Sequence, residues 1–279
     1  MIVFLNGQFV PEEQAVVSVF DRSFLYGDGL FEAMLVCNGK PFRWWEHMER
    51  LRKGGDFLGI KIPFACKALE KFAAELIARN QMPDALLRLT LSRGVGLRGY
   101  SPKGADKPTL AMTLHPLPPA AELSRGWRLV TASRRLPAGE PLAQFKTANK
   151  LAQVLARAEA DAAGADEALL LNTDGFVVEG ASCNLFWVQR GAVCTPPMTS
   201  GVLAGVTRAI VIELCNALAL PVQETTVTPG ELRVTDGVFL TLSSLGVVGA
   251  IELDGVQIAQ SPLVEKLQRA YEDLLARDS

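Results

Sequence analysis

Phe145-Lys146-Thr147-Ala148-Asn149-Lys150-Leu151, with Val178-Glu179-Gly180-Ala181-Ser182-Cys183-Asn184-Leu185-Phe186 further along, decides how the rest of this sequence is read. Lysine is ordinarily a solvated surface residue. Lys146 instead follows Phe145 and precedes a helix over Ala148–Ala163 whose start is marked by Thr147 and Asn149. Its amine can therefore be held at an element boundary, in a partly apolar pocket. Desolvation favours the neutral amine, the form that condenses with a carbonyl to give an imine. Glu179 follows the turn signal Asp174-Gly175 and ends the short strand Phe176-Val177-Val178. An acid there is commonly solvated, but it can also hold a proton on a heterocyclic nitrogen.

The composition narrows what such a pair can serve. The chain has 279 residues, 49% of them hydrophobic and 21% charged, ordinary values for a globular protein. Its length suits one large or two modest domains. The net charge of −2 and pI near 5.8 lack the basic footprint of a nucleic-acid binder. No apolar run approaches the roughly 20 residues of a membrane span. The start, MIVFLNGQFV, has no charged region ahead of a long apolar one, so no signal peptide is expected. Cys37, Cys66, Cys183, Cys194 and Cys215 form no CxxC spacing and suit a reducing compartment. Only His47 and His115 are present, which disfavours a Ser-His-Asp triad or a histidine-rich metal site. A cytoplasmic protein without a metal, a membrane anchor or a nucleic-acid partner is expected.

Two Asn-Gly pairs, Asn6-Gly7 and Asn38-Gly39, signal hairpins joining Val3-Phe4-Leu5 to Phe9-Val10 and Leu30–Cys37 to Pro41–Trp44. Helical spacing covers Glu46–Leu58 and Cys66–Arg79, with Gly54-Gly55 weakening the first helix near its end. Strands Ala85–Ser92 and Thr109–His115 flank a glycine-rich loop, Arg93 to Pro102. The three prolines of Pro116-Leu117-Pro118-Pro119 can continue neither sheet nor helix. They place a linker at 116–122 between a small domain, 1–115, and a larger one, 123–279. Beyond it come strands Arg128–Ser133, Ala168–Asn172, Phe176–Val178, Asn184–Val188, Val238–Ser243 and Val247–Leu253, with helices Val206–Ala219 and Pro262–Ala276. The pattern is α+β rather than a regular strand and helix alternation.

Anion-binding candidates accompany the pair. Ala204-Gly205-Val206-Thr207-Arg208 opens an apolar helix, where free N–H groups and the Thr207 hydroxyl suit a phosphate, although a plain helix N-cap looks the same. Ser243 and Ser244 end a strand in hydroxyls. Arg50 adds a fork-shaped donor, in a place where a surface helix arginine is the common case. An imine-forming lysine, a carboxylate for a ring nitrogen and a phosphate cup are together the requirements of pyridoxal phosphate (PLP) chemistry.

In order along the chain, Tyr26-Gly27-Asp28-Gly29-Leu30-Phe31-Glu32, His47 to Leu51, Lys146 to Leu151, Asp166-Glu167-Ala168, Glu179 to Phe186, Thr195-Pro196-Pro197 and Gly205-Val206-Thr207-Arg208 resemble the fold-type IV PLP enzymes. These are the class IV aminotransferase family, which includes branched-chain aminotransferases, D-amino acid aminotransferases and aminodeoxychorismate lyases. The resemblance covers nearly the whole chain. It implies a two-domain fold, a small α/β N-terminal domain and a larger domain with a β-barrel-like core, with PLP between domains and a homodimer as the assembly. By resemblance Lys146 binds the cofactor and shuttles protons, and Glu179 meets the pyridine nitrogen. Arg50, Val206, Thr207 and Ser244 bind phosphate with Ser243 close by, and Leu203 packs under the ring. Phe31, Arg98 and Tyr100 are the substrate-side candidates.

The reaction is decided by fewer residues. The loop Arg93 to Pro102 looks like that of the lyases, and Asn149 stands three residues after the lysine as theirs does, although D-amino acid aminotransferases share it. Where the family usually has threonine after Phe-Glu, this chain has Ala33, which lacks the hydroxyl expected to assist the lyase. Leu151 and Leu35 replace a tyrosine and an arginine of typical branched-chain enzymes and make the pocket more apolar. Arg98 resembles in position the carboxylate-binding arginine of D-amino acid aminotransferases. The leading expectation is a transaminase using a small-molecule amino donor and a keto acid. A lyase releasing 4-aminobenzoate and pyruvate, or a non-catalytic PLP carrier, are the alternatives.

Overall fold

The computed structural model describes residues 1–118 and 125–278, so the expected linker lies outside the described residues from Pro119 onward. The chain divides into two compact units, the first made of Met1–Leu117 with Phe145–Lys150 and the second of Pro118–Gln144 with Leu151–Asp278.

In the first unit, β1 (Ile2–Leu5) and β2 (Gln8–Pro11) turn at Asn6, and β3 (Gly29–Cys37) and β4 (Lys40–Pro41) turn at Asn38. Both asparagines have positive φ, +50° and +49°, as type I′ hairpins require. The second hairpin is shorter than expected because Arg43, also left-handed, redirects the chain into α2 (Trp44–Leu58), after the short α1 (Arg22–Tyr26). With α3 (Cys66–Asn80), β5 (Ala85–Ser92) and β6 (Thr109–His115), the sheet has the order β2-β1-β6-β5-β3-β4. Alternation along β5 buries Leu87, Leu89 and Leu91 with Phe4, Met34 and Met112, and Leu51, Leu69 and Leu76 of α2 and α3 join the same core.

Phe145–Lys150 is not the start of a helix. Phe31 N–H donates to Lys146 C=O at 2.9 Å, Ala148 N–H donates to Gly29 C=O at 2.8 Å, and Leu30 and Thr147 form an antiparallel bridge. The segment satisfies the edge of β3, and Phe145 packs against Phe57 with ring centroids 4.8 Å apart. Gly54 explains a weak spot in α2. A Cβ there would stand 3.0 Å from both Leu30 methyls and 3.5 Å from the Phe145 ring. Lost helix propensity is offset by the close approach that admits β3 and the lysine-bearing segment.

The second unit holds β7 (Trp127–Leu136), α4 (Leu151–Ala162), β8 (Glu167–Asn172), β9 (Val177–Gly180), β10 (Asn184–Gln189), β11 (Ala192–Thr195), α5 (Val206–Ala217), β12 (Val222–Glu224), α6 (Pro229–Leu232), β13 (Gly237–Leu242), β14 (Gly246–Leu253) and, after a final hairpin, α7 (Pro262–Asp278). Along the sheet, β10, β13, β14, β7, β8 and β9 are successive neighbours, and β9 also pairs with β10. This closes a barrel, as the fold expectation required. Leu169, Leu171, Leu185, Trp187, Val238, Leu240 and Val248 share its buried cluster. The short β11 and β12 extend the sheet beyond the closed ring and were not expected.

Candidate active site

Alternation on β3 sends Glu32 inward, 1% exposed, toward α2, where His47 and Arg50 lie one turn apart on a buried face. Arg50 Nε and Nη2 donate to Glu32 Oε1 and Oε2 at 2.8 and 2.5 Å, and His47 Nδ1 donates to Oε2 at 2.7 Å. Burial alone would raise the Glu32 carboxyl, but the charge and hydrogen bonds of Arg50, then of His47, outweigh it and hold the group at about 2. His47 is pushed below its usual range, chiefly by burial and further by the Arg50 and Lys146 charges, against the pull of Glu32. It is therefore neutral near pH 7, and its contact with Glu32 is a hydrogen bond rather than an ion pair. Arg50 is buried, not on the surface, and its fork is engaged by a carboxylate. Lys146, half-buried, places Nζ 4.7 Å from the centroid of the Phe31 ring. Phe31 and Lys146, both expected at the site, are thus in contact.

In the second unit the expected residues collect at one end of the barrel. Glu179, 8% exposed, is the penultimate residue of β9 and lies opposite Asn184, the first residue of β10, and Asn184 pairs in turn with Thr241 near the end of β13. Glu179 Oε2 accepts the Leu203 N–H at 3.0 Å, and Leu203 C=O accepts from Asn184 Nδ2 at 3.0 Å. Leu203 is held by its backbone. Three residues later α5 begins at Val206, with Gly205 as an N-cap that offers no side-chain acceptor. A Cβ on Gly205 would collide with Asn184 Oδ1, so only glycine lets the helix start this close to the strand. Thr207 is buried in the first turn. Ser243 and Ser244 form the turn between β13 and β14, half-buried at the same barrel end as Asn184.

Arg98 and Tyr100 are carried by a separate segment of the first unit. They lie exposed on the loop after β5, where Tyr100 meets Tyr26 edge-on with centroids 5.5 Å apart. Glu32 and His47 stand outside the set of residues expected at the site, yet the structure puts Glu32 against Arg50 and His47, and His47 within reach of the Lys146 charge. An acid at an inward position of a strand, beside a His-x-x-Arg helix face, was the available signal. Arg88 was missed as well. It lies on β5 in register with Ala33, its guanidinium carbon 4.0 Å from the centroid of Phe31, and burial lowers its pKa. Among the described residues no group of three or more His, Cys, Asp or Glu side chains could hold a metal ion, and no helix is long and apolar enough to cross a membrane.

Residues 29–253 match the model of the amino-transferase class IV family. The chain belongs to this family. Its relatives include a protein of Methanocaldococcus jannaschii assigned as a branched-chain-amino-acid aminotransferase, 38% identical over 98% of this chain and 96% of its own. A D-alanine aminotransferase of Bacillus licheniformis is 31% identical over 100% of this chain and 99% of its own. An aminodeoxychorismate lyase of Bacillus subtilis is 29% identical over 91% of this chain and 87% of its own. Among solved structures, the branched-chain aminotransferase of Thermoproteus uzoniensis, crystallised with norvaline, superposes with a TM-score of 0.93 at 31% identity, covering 100% of this chain and 96% of that one. The architecture is that of the class IV family, fold type IV, whose members depend on PLP.

Proposed function

We propose that this chain is a PLP-dependent transaminase that moves an amino group between an amino acid or primary amine and a 2-keto acid, working as a cytoplasmic homodimer of two-domain subunits. The observation that carries the reading is Lys146, pinned by its backbone to β3 with its amine against Phe31, beside a buried Glu32, His47 and Arg50. The donor set suits the cofactor: a fixed amine, a carboxylate oriented by a backbone N–H, and an uncapped helix N-terminus beside two serines.

Lys146 would hold PLP covalently, Glu179 would hold its ring nitrogen protonated, and Leu203 would pack under the ring. Val206, Thr207, Ser243, Ser244 and Arg50 would hold its phosphate. When bound, PLP supplies an electron-accepting ring conjugated to the substrate Cα. Displaced from the cofactor by the substrate amine, the Lys146 amine would remove the Cα proton as general base, and neutral His47 adds no positive charge to that of Arg50. Glu32 fixes the Arg50 guanidinium, so the cation is oriented before any anion arrives. Phe31 makes an apolar wall, and Arg88, Arg98 and Tyr100 are the groups that would receive a carboxylate. The exposed Val19, Phe20, Phe24 and Leu97, 63%, 64%, 74% and 76% accessible, supply apolar surface for a second copy.

The lyase reading keeps one specific support, the glycine-rich loop from Arg93. The side chain at position 33 opposes Arg88 across the sheet and is a methyl, without the hydroxyl the lyase is expected to use. Absorbance of the PLP-loaded protein during addition of L-amino acids, D-amino acids and arylalkyl amines separates the readings. Bleaching of the visible band that a keto acid restores supports transamination. Pyruvate release from aminodeoxychorismate moves the assignment to the lyase, and an unresponsive spectrum makes the protein a PLP carrier.

A further inference from the structure

The loop that follows β5 is held from within by Arg22, a residue of α1 that is only 3% exposed. Its Nη1 donates to Gly99 C=O at 2.9 Å and to Ser101 C=O at 3.1 Å, and its Nη2 donates to Tyr100 C=O at 3.1 Å. Three consecutive carbonyls thus converge on one guanidinium. The backbone N–H of Arg22 donates to Gly94 C=O at 2.9 Å, at the other end of the loop. Tyr26, one turn along α1, accepts the Gly99 N–H on its hydroxyl at 3.1 Å and meets the Tyr100 ring.

The clamp is itself anchored. Arg22 Nε donates to Asp28 Oδ2 at 2.8 Å, and Asp28 also takes Arg93 Nε at 2.7 Å and Nη2 at 3.0 Å. Arg93 Nη2 in turn donates to Leu58 C=O at 2.8 Å, tying the network to the end of α2. By contrast the side chains the loop displays, Leu97, Arg98 and Tyr100, are exposed and have no strand to hold them. Charge-assisted bonds to three successive carbonyls remove the freedom that such a glycine-rich segment would otherwise have.

We propose that Arg22 is a positioning residue for substrate recognition: by gathering the carbonyls of Gly99, Tyr100 and Ser101 it fixes the direction in which the loop presents Arg98 and Tyr100 to a substrate carboxylate. The proposal rests on the assignment of those two side chains to the carboxylate. Arg22 touches neither substrate nor cofactor and acts through the loop. Replacing it should weaken substrate capture and leave PLP binding and the chemical step alone.

The test uses the PLP-loaded protein with D-alanine, L-leucine and L-glutamate as donors, following the one that turns over fastest. Arg22→Met, which keeps Asp28 paired with Arg93, is expected to raise KM about tenfold with kcat within about twofold and the visible absorbance unchanged. Arg22→Lys, which can still reach carbonyls, should recover part of the loss and serves if the Met variant folds poorly. In an Arg98→Ala background Arg22→Met should add less than about twofold, because its effect runs through that side chain. An unchanged KM in Arg22→Met and Arg22→Lys, with a raised KM in Arg98→Ala, overturns the role of Arg22 and leaves the loop assignment standing. No effect of Arg98→Ala, or no turnover of any donor, removes the assignment beneath the proposal and the proposal with it. Multiplying losses, or kcat and absorbance falling together, would make Arg22 a merely structural residue.

Discussion

The two units hold their expected site residues by opposite means. In the first, charged side chains hold one another: Glu32 carries Arg50 through two bonds and His47 through a third, all in a buried pocket beside Lys146. In the second, neutral donors do the holding: Glu179 is set by the Leu203 backbone N–H, the Leu203 carbonyl by the Asn184 side-chain amide, and the start of α5 is uncapped. Paired buried charges are unforgiving, because removing one partner strands the other. The backbone N–H that Leu203 gives Glu179 cannot be deleted by changing a side chain. The first unit should therefore be the one in which mutation and acid separate the site from its fold least cleanly.

The largest effect is expected at Lys146. Lys146→Ala should lower turnover by at least about a thousandfold and abolish the visible absorbance of the PLP-loaded protein. Normal activity in that variant would end the reading of the whole site. Next comes Glu179→Gln, expected to slow Cα proton abstraction about a hundredfold in stopped-flow traces while most of the cofactor stays bound. Its melting temperature should stay close to that of the parent, since the amide oxygen can still accept the Leu203 N–H. Glu32→Gln should behave in the reverse way, destabilising the protein by about 3–5 kcal/mol in urea unfolding because Arg50 loses its counter-ion. Were Glu179→Gln the more destabilising of the two, the contrast between the units would be wrong.

Acid provides a milder version of the same comparison. The Glu32 carboxyl is lowered from 4.5 to about 2 in the folded state, so its stabilising contribution is complete above pH 4.5 and is lost as pH falls toward 2. His47, also lowered, adds in the same direction, since the unfolded chain takes up its proton first as pH drops below 6.5. Thermal melts from pH 7 to pH 3 should fall less steeply for Glu32→Gln than for the parent. Smallest of all is Arg52→Ala. Arg52 bonds Glu49 and Asp56 on the exposed face of the helix that buries Arg50, and solvent screening should leave no measurable change in melting temperature.

What could be read from residues alone follows the range of the interactions. The Asn-Gly hairpins and the strands Ala85–Ser92 and Thr109–His115 are written in local chemistry, and they occur where expected. The helix start at Ala148 was misplaced because Thr147 and Asn149 look locally like capping residues, whereas the groups that claim this backbone, Gly29 and Phe31, are more than a hundred positions away. The short β11 and β12 carry too few residues for a period to show. Lys146 and Glu179 drew attention as residue types out of their usual setting. The Glu32, His47 and Arg50 cluster stayed hidden because it exists only once a strand and a helix pack. Arg88 was lost in the alternation of β5, where it reads as a solvent-facing position.

Phe145–Lys150 has a consequence for how the molecule is built. The polypeptide leaves the first unit after Leu117, comes back for six residues, and departs again at Leu151. During vectorial synthesis the first unit can collapse early, but with an open β3 edge and no reactive amine until the stretch through Gln144 has been made. The group that would form the covalent link to the cofactor is thus the last part of its own unit to arrive. Dividing the gene at the proline-rich boundary would assign that amine to the wrong fragment, so a functional split of this protein should be sought beyond Lys150.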